Sequence, residues 1–220
     1  PSCALHQPNT LDARSESVSQ KVKAMLQSFR NEHTVERAKS QYASTFPSYT
    51  VFELATGGGL LTLAAAYAGF RHLGGTEDVS KPLGAAKAKL FENLTGARCY
   101  GDTSAWKQWI HHIRDDDIDL LMAGQPCSDY ASLGEQLGMY SNKGGDLFLK
   151  QVDIILTLNP KTIILEVVPT ALDVNNGFEV KWVLGKLMPS YHVNANIVPC
   201  WIHGDCTARE RLFVCALRRD

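Results

Sequence analysis

The sequence has no apolar run of the ~20 residues that a bilayer-spanning helix needs. Its opening stretch, PSCALHQPNTLDARSES, is polar and lacks a signal-peptide core. Neither a membrane partner nor secretion is expected. It has no Cys-x-x-Cys pair: Cys3, Cys99, Cys127, Cys200, Cys206 and Cys215 are scattered. That spacing excludes a small disulfide scaffold and points to a reducing, intracellular compartment. It also lacks an excess of basic charge, since 22 Lys and Arg face 23 Asp and Glu for a net charge of -1. A protein that coats a polyanion is normally basic, so any contact with nucleic acid must come from a local patch. Repeats and low-complexity tracts are absent, and with 45% hydrophobic and 20% charged residues the composition excludes disorder, collagen and coiled coil. What remains is a globular chain of 220 residues, long enough to bury a core without staples.

Two regions differ in pattern. Residues 1–49 form an N-terminal tail and helical segment. Val18, Val22, Met25, Leu26 and Phe29 recur at spacings of three and four, which predicts an amphipathic helix over Ser15–Phe29. A weaker helical pattern follows to about Tyr42 and stops before Pro47. Residues 50–220 alternate strand and helix. Strands are expected at Thr50–Ala55, Arg71–Thr76, Ala97–Gly101, Asp119–Ala123 and Thr162–Leu165, then a final pair at His192–Val198 and Arg211–Leu217. Helices are expected between them, at Leu60–Gly69, Gly84–Leu94, Thr103–Ile113, Leu147–Thr157 and Glu179–Met188. Short apolar strands alternating with helices predict an α/β fold with a doubly wound, mostly parallel sheet and an antiparallel pair at one edge.

Four motifs sit where such a sheet binds ligands, at the carboxyl ends of its strands. Glu53–Gly59, ELATGGG, joins the first strand to its helix, and glycines there let backbone approach a ligand closely. About 20 residues further on, Glu77 and Asp78 end the second strand, where a carboxylate can accept from both hydroxyls of a ribose. The complete G-x-G-x-x-G is missing, because Thr62 holds the last position, and a tight turn beside a surface carboxylate gives the same pattern. Pro126-Cys127 follows the fourth strand. A thiolate there is a nucleophile if its surroundings lower its pKa, and otherwise Cys127 is a half-buried free thiol. Glu166 ends the fifth strand behind an apolar run, which would partly desolvate it and suit it to donate a proton. Adjacent strands would bring Cys127 and Glu166 into one crevice. Arg209 and Arg211, at i and i+2 entering the last strand, would point the same way and bind phosphate and a base carbonyl, or pair with Glu210 and Asp205 on the surface. Cys200-x-x-His203-x-x-Cys206 has metal-like spacing but lacks the fourth ligand of a structural zinc. His111-His112, beside Trp106 and Trp109, reads as surface and core packing.

In this order and spacing the four motifs resemble the cytosine-5 DNA methyltransferase family, over about Val51 to Arg218. The resemblance implies a Rossmann-like S-adenosylmethionine-dependent methyltransferase fold. It implies methyl transfer from S-adenosylmethionine to C5 of cytosine, DNA favoured over RNA, through a cysteine adduct. Cys127 matches the family's nucleophile and Glu166 its glutamate, and Arg209 and Arg211 match its Arg-x-Arg strand. Glu53, Ala55, Thr56, Gly57, Gly59, Glu77, Asp78, Asp102 and Gln125 match its cofactor-binding positions. The sequence departs from the pattern at Ala55, usually Phe; at Leu60, usually Gly; at Val167, usually Asn; and at Thr207, usually Gln. No target recognition region is found, so recognition is expected from a partner subunit or a missing C-terminal segment. The Ser15–Phe29 helix is a candidate to stand in for the family's last helical motif beside the cofactor loop. Two other classes stay open: an inactive methyltransferase-like subunit acting through a partner, and a nicotinamide-dependent oxidoreductase that would leave Pro126-Cys127 and the two arginines unexplained.

Overall fold

A computed structural model describes residues 49–113, 117–124, 130, 138–140, 146–203 and 207–219. The expected N-terminal helices and two of the candidate site residues, Gln125 and Cys127, lie outside them, as does Cys206. Six strands form one sheet: β1 (Thr50–Leu54), β2 (Arg71–Gly75), β3 (Leu120–Gly124), β4 (Thr162–Val167), β5 (Tyr191–Pro199) and β6 (Glu210–Arg218), in the order β2-β1-β3-β4-β6-β5. The first four are parallel, and β6 runs antiparallel to both β4 and β5. The main helices are α1 (Leu60–Tyr67), α2 (Pro82–Thr95), α3 (Leu147–Leu158) and α4 (Phe178–Leu187). The doubly wound, mostly parallel sheet with an antiparallel edge is therefore present, and its strand order reverses at β1, between β2 and β3, where such sheets open a crevice.

Side-chain alternation along the strands assigns the two faces. Phe52, Leu54, Leu121, Ala123, Ile163, Leu165 and Val167 share one large core with α3 and α4 residues such as Val152, Ile155, Val183 and Leu187. On the other face Val51, Leu120 and Met122 pack with Ala65 and Leu61 of α1 in a smaller cluster. Helix α2 covers the β2 end of that face: a Cβ on Gly75 would lie 2.8 Å from Phe91, so only glycine fits beneath it. Helix α2 begins on Pro82, pre-set for the first helical turn, and stops at Gly96 in the left-handed region (φ 69°).

Two expected elements differ. The Ala97–Gly101 strand reduces to one bridge between Cys99 and Gly75, with Tyr100 N–H donating to the Gly75 carbonyl. The Thr103–Ile113 helix breaks into a 3-10 turn at Thr103–Ala105, one α-turn at Trp106–Trp109 and another 3-10 turn at Ile110–His112. Trp109 explains the break, since its buried indole donates to the Asp102 carbonyl and pulls the segment onto Phe52 and Tyr100. Among the described residues no helix is long and apolar enough to cross a membrane.

Candidate functional site

The turn after β1 is held by backbone. Thr56 N–H donates to the Thr76 carbonyl at 2.9 Å, and Ala55 N–H donates to Thr76 Oγ1 at 3.0 Å. Ala55 takes φ 54°, a left-handed conformation that costs a non-glycine residue about 1–2 kcal/mol. Gly57 and Gly59 follow at φ 56° and 80° and turn the chain into α1. A Cβ on Gly58 would meet nothing within 4 Å, so the turn presents bare backbone to open space.

Two carboxylates brace this turn. Glu77, mostly buried, accepts from Gly57 N–H on Oε2 at 2.7 Å and has Lys87 Nζ 3.9 Å from Oε1. Its own N–H donates to the Gly101 carbonyl, which brings Gly101-Asp102 against the same strand end. Glu53 lies beneath, 1% exposed, and accepts from Thr62 Oγ1 of α1 at 2.6 Å. Burial pushes its carboxyl up to about 7; the Thr62 hydrogen bond opposes that rise and the nearby Glu77 charge adds to it. Glu53 Oε1 and Thr56 Oγ1 are buried with no hydrogen-bond partner among the described residues.

The other side of the crevice belongs to β3, β4 and β6. Gly124 and Glu166 are paired in register across two parallel strands. A Cβ on Gly124 would lie 3.6 Å from Glu166 Oε2, so the carboxylate lies close to the residue from which the Pro126-Cys127 loop departs. Glu166 is partly buried, as expected, and also has a charged neighbour. Arg211 Nε reaches Glu166 Oε1 at 2.5 Å, both side chains being about one-fifth exposed. Arg211 also donates to the Glu210 carbonyl, at 2.7 Å.

One cavity of about 310 Å³ joins the two sides, lined by Ala55, Thr56, Gly57, Gly58, Leu60, Leu61, Glu77, Lys87, Gly124 and Glu166. The candidates Ala55, Thr56, Gly57, Glu77 and Glu166 thus meet in one place. Gly59, Glu53, Asp78 and Asp102 do not line it. Gly59 caps α1, and Asp78 is half-buried and bound to Ser80 and Lys81, which hold its carboxyl below the usual range. Asp102 accepts from Ser104 N–H and caps a 3-10 turn. Arg209 precedes β6 and is exposed, and its carbonyl accepts from Cys200 N–H. Gly58, Leu61, Lys87 and Gly124 line the cavity without having been picked out, as does Leu60, noted only as a departure from the family's pattern. Leu61 and Lys87 carry no motif and reach it from α1 and α2. Gly58 and Gly124, inside or beside motifs already singled out, were legible in principle. Among the described residues no group of His, Cys, Asp or Glu is placed to hold a metal.

This sheet order, with its crevice at the switch point, is that of S-adenosylmethionine-dependent methyltransferases. Solved structures agree in fold. An Entamoeba histolytica methyltransferase, EhMeth, matches with a TM-score of 0.60 at 16% identity, over 80% of this chain and 54% of its own. The S. pombe Dnmt2 methyltransferase matches with a TM-score of 0.55 at 16% identity, over 77% of this chain and 49% of its own. Residues 49–220 match the C-5 cytosine-specific DNA methylase family, and the chain belongs to it. Curated relatives include the type II methyltransferase M.Sau96I of Staphylococcus aureus, 28% identical over 182 residues, or 78% of this chain and 39% of the relative. Another is M.Bsp6I of Bacillus sp. (strain RFL6), 29% identical over 114 residues, or 50% of this chain and 36% of the relative. The chain therefore spans well under half the length of these relatives.

Proposed function

We propose that this chain provides the methyl-transfer centre of a DNA (cytosine-5) methyltransferase, taking the methyl from S-adenosylmethionine. One observation carries the reading. The Glu166–Arg211 pair stands beside Gly124, three residues before Cys127, on the rim of the cavity that the glycine turn and Glu77 line.

The residues present fit the cofactor. Gly57 and Gly58 leave backbone open to it, Glu77 offers a carboxylate where ribose hydroxyls are bound, and Thr56, whose buried hydroxyl has no partner among the described residues, lines the same cavity. Glu53, Ala55, Gly59, Asp78, Asp102 and Gln125 complete the set that the family resemblance assigns. When bound, S-adenosylmethionine supplies an electrophilic methyl. The chain's own work is to make the cytosine C5 nucleophilic. The Cys127 thiolate adds to C6 of the base, and Glu166 meets N3, so that the electron pair displaced from the C5–C6 double bond is accommodated as it forms. Arg211 holds the Glu166 carboxylate in place and lies where it can meet O2. Arg209, exposed beside it, suits a phosphate. After methylation, loss of the C5 proton re-forms the double bond and expels the Cys127 thiolate. A base can reach such a crevice only by leaving its stack.

Target recognition is assigned to a partner subunit or a further segment, because choosing a sequence requires side chains at base edges. The test is methyl incorporation from labelled S-adenosylmethionine into duplex DNA and into tRNA of matched cytosine content. Label in DNA at C5 of cytosine is expected. Label only in tRNA, or none with any partner or longer chain, overturns the reading.

A further inference from the structure

One face of the sheet is roofed by helices except at the edge strand β5, where Ala195 and Ile197 stay exposed, but the other is roofed only over β2, β1 and β3. Beyond α1 it carries a bare apolar strip. Ile164 of β4 pairs across with Cys215 of β6, and Thr162 with Leu217, so these side chains share that face. Cys215 is exposed and Leu217 is 57% exposed. Between them and α1 lies a groove of about 520 Å³, whose apolar wall includes Phe70, Leu120, Ile164 and Leu217. The strip has a polar border. On β5 the residues of the same face, His192, Asn194 and Asn196, are all exposed and polar. Its apolar part is therefore about two strands wide, roughly 10 Å, which is the width of one α-helix. A parallel sheet is normally covered on both faces.

We propose that the amphipathic segment Ser15–Phe29 of this same chain forms a helix that lies along this strip, with Val18, Val22, Met25, Leu26 and Phe29 turned onto Phe70, Ile164 and Leu217. The chain's own route points to this occupant. Tyr49, where the 48 preceding residues join the sheet, itself lines the groove. About 20 residues separate Phe29 from Tyr49, far more than a return to the groove needs at ~3.3 Å per residue. The segment also supplies what the strip lacks, a single apolar stripe with polar flanks to match the polar border on β5. The docked helix is the missing roof of the sheet.

Cys215 reports on this directly, because its thiol lies on the strip. The test is maleimide labelling of the full chain, with Cys215 followed by peptide mapping. The expected result is labelling at least tenfold slower than in the urea-unfolded chain and independent of protein concentration. Met25→Asp with Leu26→Asp should remove most of that protection, whereas Gln27→Asp, on the polar side of the same segment, should leave it. Should the double variant fail to fold, Val22→Cys in the otherwise unchanged chain gives a second reading. A bifunctional maleimide should then join residue 22 to Cys215 within one molecule. Three results would each overturn the proposal: Cys215 labelling as fast as in urea, protection that fades on dilution as a second copy would give, or no intramolecular cross-link.

Discussion

The two sides of the crevice are built from different materials. The cofactor side is backbone: positive-φ residues at three alternate positions, Ala55, Gly57 and Gly59, in a turn hydrogen-bonded to Thr76 and braced by buried Glu53 and Glu77. The acceptor side is side chain: a Glu166–Arg211 pair crossing from β4 to β6 beside Gly124. Backbone in a fixed turn suits a ligand that is the same in every turnover. Side chains that can trade partners suit a base that arrives, reacts and leaves. Disturbing the first side should therefore change affinity and stability, and disturbing the second should change rate.

The sharpest division comes from Cys127→Ser. It should abolish methyl transfer while leaving S-adenosylmethionine affinity within about threefold, read by isotope incorporation and calorimetry on one preparation. Retained turnover would remove Cys127 from the mechanism. Next, Glu166→Gln should lower kcat by about 10²–10⁴-fold, the usual weight of a group handling a proton, with little change in cofactor binding.

On the cofactor side, Glu53 makes a pH-dependent prediction. Its carboxyl is raised from 4.5 to about 7 in the folded chain, so folding takes up a proton between those values. Stability from this group is complete below about pH 4.5 and is lost as pH rises through 7, at a cost of roughly 3 kcal/mol. Glu53→Gln should therefore melt higher than the parent at pH 8, with the gap closing toward pH 4.5. A gap that does not change with pH would contradict the burial argument. Glu77→Ala should weaken S-adenosylmethionine by about 1–3 kcal/mol, the scale for losing a charged acceptor, and leave kcat at saturation nearly unchanged. The smallest expected effect is Ala55→Gly, a gain of about 0.5–1 kcal/mol in stability if the strain at φ 54° outweighs the added freedom of the unfolded chain.

The same division governs how far the sequence could be read. Strands β1, β3 and β4 were legible because parallel strands inside a sheet are short apolar runs, and their ends fall within two residues of expectation. The glycine turn and Glu77 were legible because a strand, a turn and an acid at a fixed interval form a local pattern. The Glu166–Arg211 pair was not, since nothing along the chain announces that β6 inserts between β4 and β5. Lys87 and Leu61 were hidden for a similar reason: each reaches the cavity from a helix whose rotation only packing decides. The missing Ala97–Gly101 strand shows the opposite failure. Its β-compatible residues form one bridge, at Gly75, and the ladder stops there because the next N–H, that of Glu77, bonds the Gly101 carbonyl out of register.

The central claim is that Cys127 bonds to the cytosine ring while this crevice holds the base. A duplex carrying 5-fluorocytosine tests it most directly, because fluorine at C5 cannot leave as a proton does and the thiol is never expelled. With S-adenosylmethionine present, and with whatever partner the methyl-transfer assay requires, a covalent protein–DNA species should accumulate and map by mass to Cys127. No covalent species under conditions that methylate ordinary cytosine, or the same species with Cys127→Ser, would contradict the account.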